Sequence, residues 1–162
     1  LDFRRQRQMC IRDSSKSESK AFIERFFEKY STIHALQERF LAQARKEGFT
    51  TTLLGRRRYL PDINAKGMLK RMAEGAAVNT PIQGSAAEVI KLAMIKIQQE
   101  LQNLKMGSKM ILTVHDELVF DVPTDEEQEL CELVKDKMEN VMLLEIPLLV
   151  EIGRGNNWLE AH

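Results

Sequence analysis

The chain has 162 residues, 43% of them hydrophobic and 30% charged, enough for one domain with a core of its own. No apolar run approaches the ~20 residues of a membrane span, no secretory apolar segment opens the chain, and the isolated Cys10 and Cys131 suggest neither a zinc site nor a disulfide framework. A cytoplasmic protein with no membrane partner is expected. Lys+Arg 24 balance Asp+Glu 24, but unevenly: residues 1–80 carry 17 basic against 9 acidic side chains (+8), and residues 81–162 carry 7 against 15 (−8). A basic half beside an acidic half fits a polyanion held by one and a metal by the other, although an acidic solvated helix over Thr124–Glu139 explains much of the excess.

Residues 1–14 do not share the helical pattern that starts near Ser19. Met9–Asp13 is what ATG TGT ATA AGA GAC encodes, which resembles the end of a transposon adapter used to prepare sequencing libraries. The segment is read as a non-native leader and excluded from fold reasoning; its rival reading is a basic arm, since it holds four arginines.

From Ser19 to Gly48 the pattern is helical. Phe22, Phe26 and Phe27 form one apolar stripe and Ile33, Leu36, Phe40 and Leu41 another, with Ser31-Thr32 as an N-cap between them, so two helices or one bent helix are expected. Gly48 ends the second. Phe49–Asp62 reads as a short hairpin: Thr50, Thr51 and Thr52 favour strand and Gly55 marks the turn. Arg56, Arg57 and Arg58 come directly after it, well placed for phosphates or equally an ordinary solvated basic turn. Asn64–Asn79 predicts a short basic helix weakened by Gly67 and Gly75.

Thr80-Pro81-Ile82-Gln83 opens the strongest helix, to about Leu104, with Thr80 as N-cap, Pro81 at its first position and Gln83 completing a capping box. Ala86, Val89, Ile90, Ala93, Met94, Ile97 and Leu101 repeat at helical spacing. Gly84-Ser85-Ala86-Ala87 leaves a small-residue surface that another backbone or a nucleic-acid strand could approach. For Gln83 itself the capping box is a sufficient structural reason.

Lys109–Val122 reads as two apolar strands, Met110–Val114 and Leu118–Val122, around His115, Asp116 and Glu117. Neither Gly nor Asn eases this apex. Folding does not require two adjacent carboxylates there, and a divalent cation would relieve their repulsion, since hard cations prefer carboxylate oxygens; an ordinary acidic turn is the plainer alternative. Thr124 then caps an acidic helix from Asp125 to about Val141, with Leu130, Val134 and Met138 inward. Pro147 starts a last strand, Leu148–Ile152, and Gly153–Trp158 is a closing loop that Trp158 packs down. The expected fold is α+β: an antiparallel sheet of 109–114, 117–122 and 148–152, with the long helix packed on it.

Four stretches together carry a resemblance. Val114-His-Asp-Glu-Leu-Val-Phe120 resembles the third palm motif of the bacterial DNA polymerase I family, family A. Asn79-Thr-Pro-Ile-Gln-Gly-Ser-Ala-Ala87 resembles that family's helix facing the primer–template, Gly55-Arg-Arg-Arg-Tyr-Leu-Pro-Asp62 its preceding hairpin, and Pro147–Trp158 with Glu160-Ala161-His162 its C-terminus. Four motifs in order are more specific than any one, and they cover Ser19–His162. By this resemblance residues 15–162 are the C-terminal part of a polymerase domain, the end of the fingers and the palm.

The resemblance implies template-directed nucleotidyl transfer from a deoxynucleoside triphosphate to a primer 3′-hydroxyl, in DNA replication or repair, assisted by two magnesium ions. It makes Asp116 the metal ligand, Glu117 the neighbouring carboxylate nearer the primer terminus, and His115 a neighbour of the primer's terminal phosphate. Gln83 and Asn79 would contact the minor groove, whose acceptors are shared by all base pairs, and Arg56, Arg57 and Arg58 would be phosphate or packing residues. Primer–template DNA and the triphosphate are the implied partners, and the complete enzyme is expected to be monomeric. Two departures stand out: Gly75 occupies a position where many relatives carry an arginine that helps hold the duplex, and the segment between Asp62 and Asn79 is one residue short. The family's first palm motif, with the other metal-binding aspartate, and the triphosphate-binding fingers helix are expected upstream of residue 1, so that this chain alone would be inactive. Two other classes stay open on the residues themselves: a non-catalytic nucleic-acid-binding module and a metal-dependent nuclease.

Overall fold

The computed structural model describes residues 16–161; the suspected leader, residues 1–14, lies outside the described residues. The chain divides into two compact units, one formed up to Thr50 and by Arg57–Val78, the other by Thr51–Arg56 and the chain from Asn79 onward.

In the first unit, α1 (Lys16–Lys29) and α2 (Ser31–Glu47) are separate helices that touch. The break falls at Tyr30, whose non-helical φ of −115° begins α2 without a side-chain cap bond, so the expected Ser31-Thr32 cap does not form. Gly48 ends α2 as expected: it takes the left-handed conformation at φ 76° and its N–H returns to the Ala44 carbonyl. β1 (Phe49–Thr51) pairs with β2 (Arg57–Tyr59), and α3 (Gly67–Asn79) comes next. Ala44, Leu60, Ile63, Ala73 and Ala77 make a small core. The aromatic stripe of α1 forms in phase but stays largely outside it, with Phe22 68% exposed.

In the second unit the chain runs from Asn79 into a π-helical turn, Thr80–Gly84, and then into α4 (Ser85–Asn103) without a new start. This corrects the capping-box expectation. A capping residue needs a non-helical backbone, whereas Thr80 is itself a residue of the π-helical turn and Asn79 before it is right-handed helical at φ −77°, ψ −34°. The wide turn arises from Pro81: proline has no N–H for the carbonyl four residues back, Ala77, and its ring crowds an α-helical turn. The buried Thr50 hydroxyl donates to that Ala77 carbonyl at 3.3 Å, within the first unit.

β3 (Lys109–Val114) and β4 (Glu117–Asp121) form an antiparallel hairpin, with an irregularity between Met110 and Leu112 where Ile111 is the extra residue. Helix α5 (Glu127–Glu139) packs against α4. Ala93, Ile97 and Leu101 of α4 share one core with Leu130, Val134 and Val141, and Met110, Leu118 and Phe120 of the hairpin pack on it, as expected for the long helix against the sheet. Thr124 does not cap α5. The position before the helix is Glu126, whose carboxylate instead accepts the Gly107 and Ser108 amides at 2.6 and 2.8 Å and the Ser108 hydroxyl at 2.6 Å.

The third strand does not form: the described sheets are both two-stranded, and 148–152 has no strand pairing. Leu148 packs on the core, but Leu149 is 85% exposed, and the Val150 N–H is donated to the Glu139 carboxylate. A side-chain acceptor has taken an amide that a ladder would need. A short helix α6 (Trp158–Ala161) ends the described chain, and Trp158 is half exposed rather than packed down. The fold class is α+β, as expected. Among the described residues no helix is long and apolar enough to cross a membrane.

Candidate nucleic-acid and metal site

The hairpin tip is a two-residue loop, since Val114 pairs with Glu117 across the ladder. His115 and Asp116 form it, and His115 takes a left-handed backbone at φ 55°. Positive φ in a two-residue hairpin loop matches the right-handed twist of the strands, and it costs a side-chain-bearing residue something that glycine would not incur. His115 and Asp116 are exposed, while Glu117 is half-buried as the first residue of β4. The two carboxylates, adjacent in sequence, therefore belong to different structures, one to the turn and one to the ladder. Among the described residues no group of three or more His, Cys, Asp or Glu side chains could hold a metal ion. Asp116 and Glu117 offer hard oxygen donors suited to magnesium, but only part of a coordination sphere.

Asn79 and Gln83 flank and occupy the π-helical turn, and both are exposed. Gly84, the last residue of that turn, is met closely by Thr52: a Cβ built at Gly84 would lie 2.7 Å from the Thr52 Cγ2. The missing side chain lets the Thr51–Arg56 turn settle on the helix. There the Leu53 N–H donates to the Ser85 hydroxyl at 2.8 Å, and that hydroxyl donates to the Pro81 carbonyl. Within the turn, the Gly55 N–H donates to the Thr52 carbonyl at 3.0 Å and the Arg56 N–H to the Thr52 hydroxyl at 3.1 Å.

The three arginines have different surroundings. Arg56 donates from Nε to Glu88 Oε1 at 3.0 Å, its side chain 71% exposed and that of Glu88 6%. Arg57 lies over the Phe49 ring, 4.6 Å from its centroid, a cation–π contact that gives it a packing role. Arg58 is exposed in β2. Arg57 and Arg58 belong to the first unit, while Arg56, Asn79, Gln83, His115, Asp116 and Glu117 belong to the second.

Glu88 did not stand out in the sequence. It lies near the start of α4, on the side of the helix away from Ala93, Ile97 and Leu101, and it is buried. The Thr52 hydroxyl, then the Arg56 guanidinium and the Leu54 amide, hold its carboxyl below the usual range against the opposing effect of burial. Its Oε2 is buried with no hydrogen-bond partner among the described residues.

The sequence profile described as DNA polymerase family A matches residues 3–160. The chain belongs to DNA polymerase family A. This polymerase chain is 43% identical over 148 residues to DNA polymerase I of Pseudomonas aeruginosa, covering 91% of itself and 16% of that protein. It is 46% identical over 145 residues to the thermostable DNA polymerase I of Thermus thermophilus, covering 89% of itself and 17% of that protein. A solved structure described as the POL domain of Pol1 from M. smegmatis, in complex with DNA primer-template and dNTP, superposes with a TM-score of 0.87 at 42% identity; the likeness covers 91% of this chain and 26% of that one. The polymerase chain thus spans about a sixth of the length of the curated relatives it matches.

Proposed function

We propose that this chain is the part of a DNA-directed DNA polymerase that presents one metal-binding carboxylate and a minor-groove contact helix to a primer terminus. The observation that carries the reading is the hairpin tip: an exposed aspartate in a two-residue turn, beside a carboxylate fixed in the ladder, in a family A chain.

Asp116 would hold magnesium from the tip, with water, substrate phosphate and carboxylates beyond the described residues completing the sphere; magnesium keeps its waters unless phosphates also bind it. When bound, the ions stabilise charge on the attacking and leaving oxygens. Glu117, oriented by its pairing with Val114, would stand nearer the primer terminus, and His115 beside the terminal phosphate. Gln83 and Asn79 would donate from side-chain amides to minor-groove acceptors common to every base pair, which tests duplex geometry without reading sequence. Arg56 and Arg58 would neutralise backbone phosphates, a contribution that weakens with salt. Primer–template DNA and a deoxynucleoside triphosphate are the substrates of this reading.

The test is a graft. Residues 16–161 replace the matching segment of the Thermus aquaticus polymerase, which is 43% identical over 145 residues, and primer extension is measured with magnesium. Extension by the graft and its loss in Asp116→Ala, with an unchanged melting profile, are expected. Undiminished extension by the aspartate variant would remove Asp116 from the reaction.

A further inference from the structure

A buried carboxylate oxygen with no hydrogen-bond partner is uncommon in folded proteins and calls for an explanation. Glu88 is such a group, and the arginine it pairs with is itself 71% exposed. Around the pair, the Thr51–Arg56 turn is fastened to the start of α4 through Leu53–Ser85 and Ser85–Pro81, and its Thr52 methyl fills the space over Gly84. The turn, the π-helical turn that carries Gln83, and Glu88 therefore form one small fastened assembly within the second unit.

We propose that Glu88 is a positioning residue for DNA binding: by holding the Arg56 Nε, it fixes the plane of an exposed guanidinium so that its outer nitrogens face a backbone phosphate of the duplex. An arginine free to sample its rotamers loses more entropy on binding than one already held. A guanidinium held through Nε still presents its terminal amino groups, whose planar fork suits phosphate. The inference rests on the reading of Arg56 as a phosphate contact.

Simple electrostatics predicts the opposite sign. Removing any carboxylate near a polyanion should tighten binding. Two variants of equal charge separate the ideas. Glu88→Gln keeps an oxygen that can accept from Arg56 Nε, whereas Glu88→Leu keeps bulk but no acceptor. Affinity of the full 162-residue chain for a primer–template duplex is measured by fluorescence anisotropy across a salt series, with melting temperature measured alongside. Glu88→Gln is expected to bind as the wild type does or more tightly. Glu88→Leu is expected to bind about 3- to 10-fold more weakly, with its salt slope reduced by about 0.9, the loss of one phosphate contact. Arg56→Ala should match it, and the double variant should be no weaker than Arg56→Ala alone.

If Glu88→Leu does not fold, Arg56→Lys decides the matter. Lysine keeps the charge but has no planar fork held at Nε, so it should bind more weakly than the wild type and more tightly than Arg56→Ala; wild-type affinity would overturn the inference. Equal tightening by Glu88→Leu and Glu88→Gln, beside a weakened Arg56→Ala, would overturn the positioning role and leave Arg56 as a phosphate contact. Unchanged affinity in Arg56→Ala, or no binding by the wild-type chain at low salt, would overturn both.

Discussion

Ser108 gives both its amide and its hydroxyl to one oxygen of Glu126, at 2.8 and 2.6 Å, and the Gly107 amide bonds the other oxygen at 2.6 Å. The carboxylate thus closes the loop between α4 and β3 onto the start of α5, and these donors hold its pKa below the usual range, the Ser108 hydroxyl foremost. A carboxyl depressed in the folded state contributes stability above its unfolded pKa, and that stability is lost as pH falls through the folded value. Wild type should therefore melt above Glu126→Gln at neutral pH, and the gap should close as pH drops below the ordinary glutamate range. A gap that persists unchanged into acid would mean the ionised form is not what binds these donors.

Thr50 replaces a donor that Pro81 lacks. Thr50→Val keeps the shape and removes the hydroxyl that reaches the Ala77 carbonyl. A buried carbonyl left without its donor costs about 1–3 kcal/mol. Urea unfolding should show a loss in that range; a change within error would mean that the carbonyl finds another donor.

At Gly84, alanine should be harmful despite alanine's better helix propensity. Its methyl would sit 2.7 Å from the Thr52 Cγ2, a branched side chain only 7% exposed, and overpacking of this kind costs about 1–3 kcal/mol. Thr52→Ser removes the opposing methyl and keeps the hydroxyl. The double variant should therefore recover most of the stability lost by Gly84→Ala. Additive losses in the two variants would show that the clash lies elsewhere.

Gln83 separates folding from binding. Because it is exposed and the helical backbone runs through Asn79 and Thr80 without a break, Gln83→Ala should change stability by less than about 0.5 kcal/mol. On the proposed minor-groove role it should weaken duplex binding severalfold in the grafted enzyme. A stability loss of about 1 kcal/mol with intact affinity would restore the capping role.

Helices and the central hairpin could be read from the sequence because period and punctuation agree there. Gly48 ends α2, Gly55 lies in the turn, and Ala93, Ile97 and Leu101 face the core. What could not be read depended on competition for backbone partners. Thr80 and Thr124 each stand where a cap would be chemically suitable, yet a π-helical turn passes through the first and a glutamate two residues further on takes over at the second. The residues 148–152 have strand-like composition, but a Glu139 oxygen holds one of their amides. The tip residues His115, Asp116 and Glu117 were legible as chemistry, whereas their division between turn and ladder required the register. Glu88 was illegible, because its significance lies in Thr52 and Arg56, more than 30 residues earlier.

The irregularity at Ile111 makes the hairpin a lever. Asp116 lies four positions beyond Leu112, roughly 13 Å of strand, so a change in bend of about 5° at the bulge displaces the tip by about 1 Å. Misplacement on that scale can cost on the order of 100-fold in a reaction governed by alignment. Ile111 is 60% exposed, and its substitution would cost little core stability. In the proposed enzyme, such a surface change, several residues from any carboxylate, would alter turnover by re-aiming one.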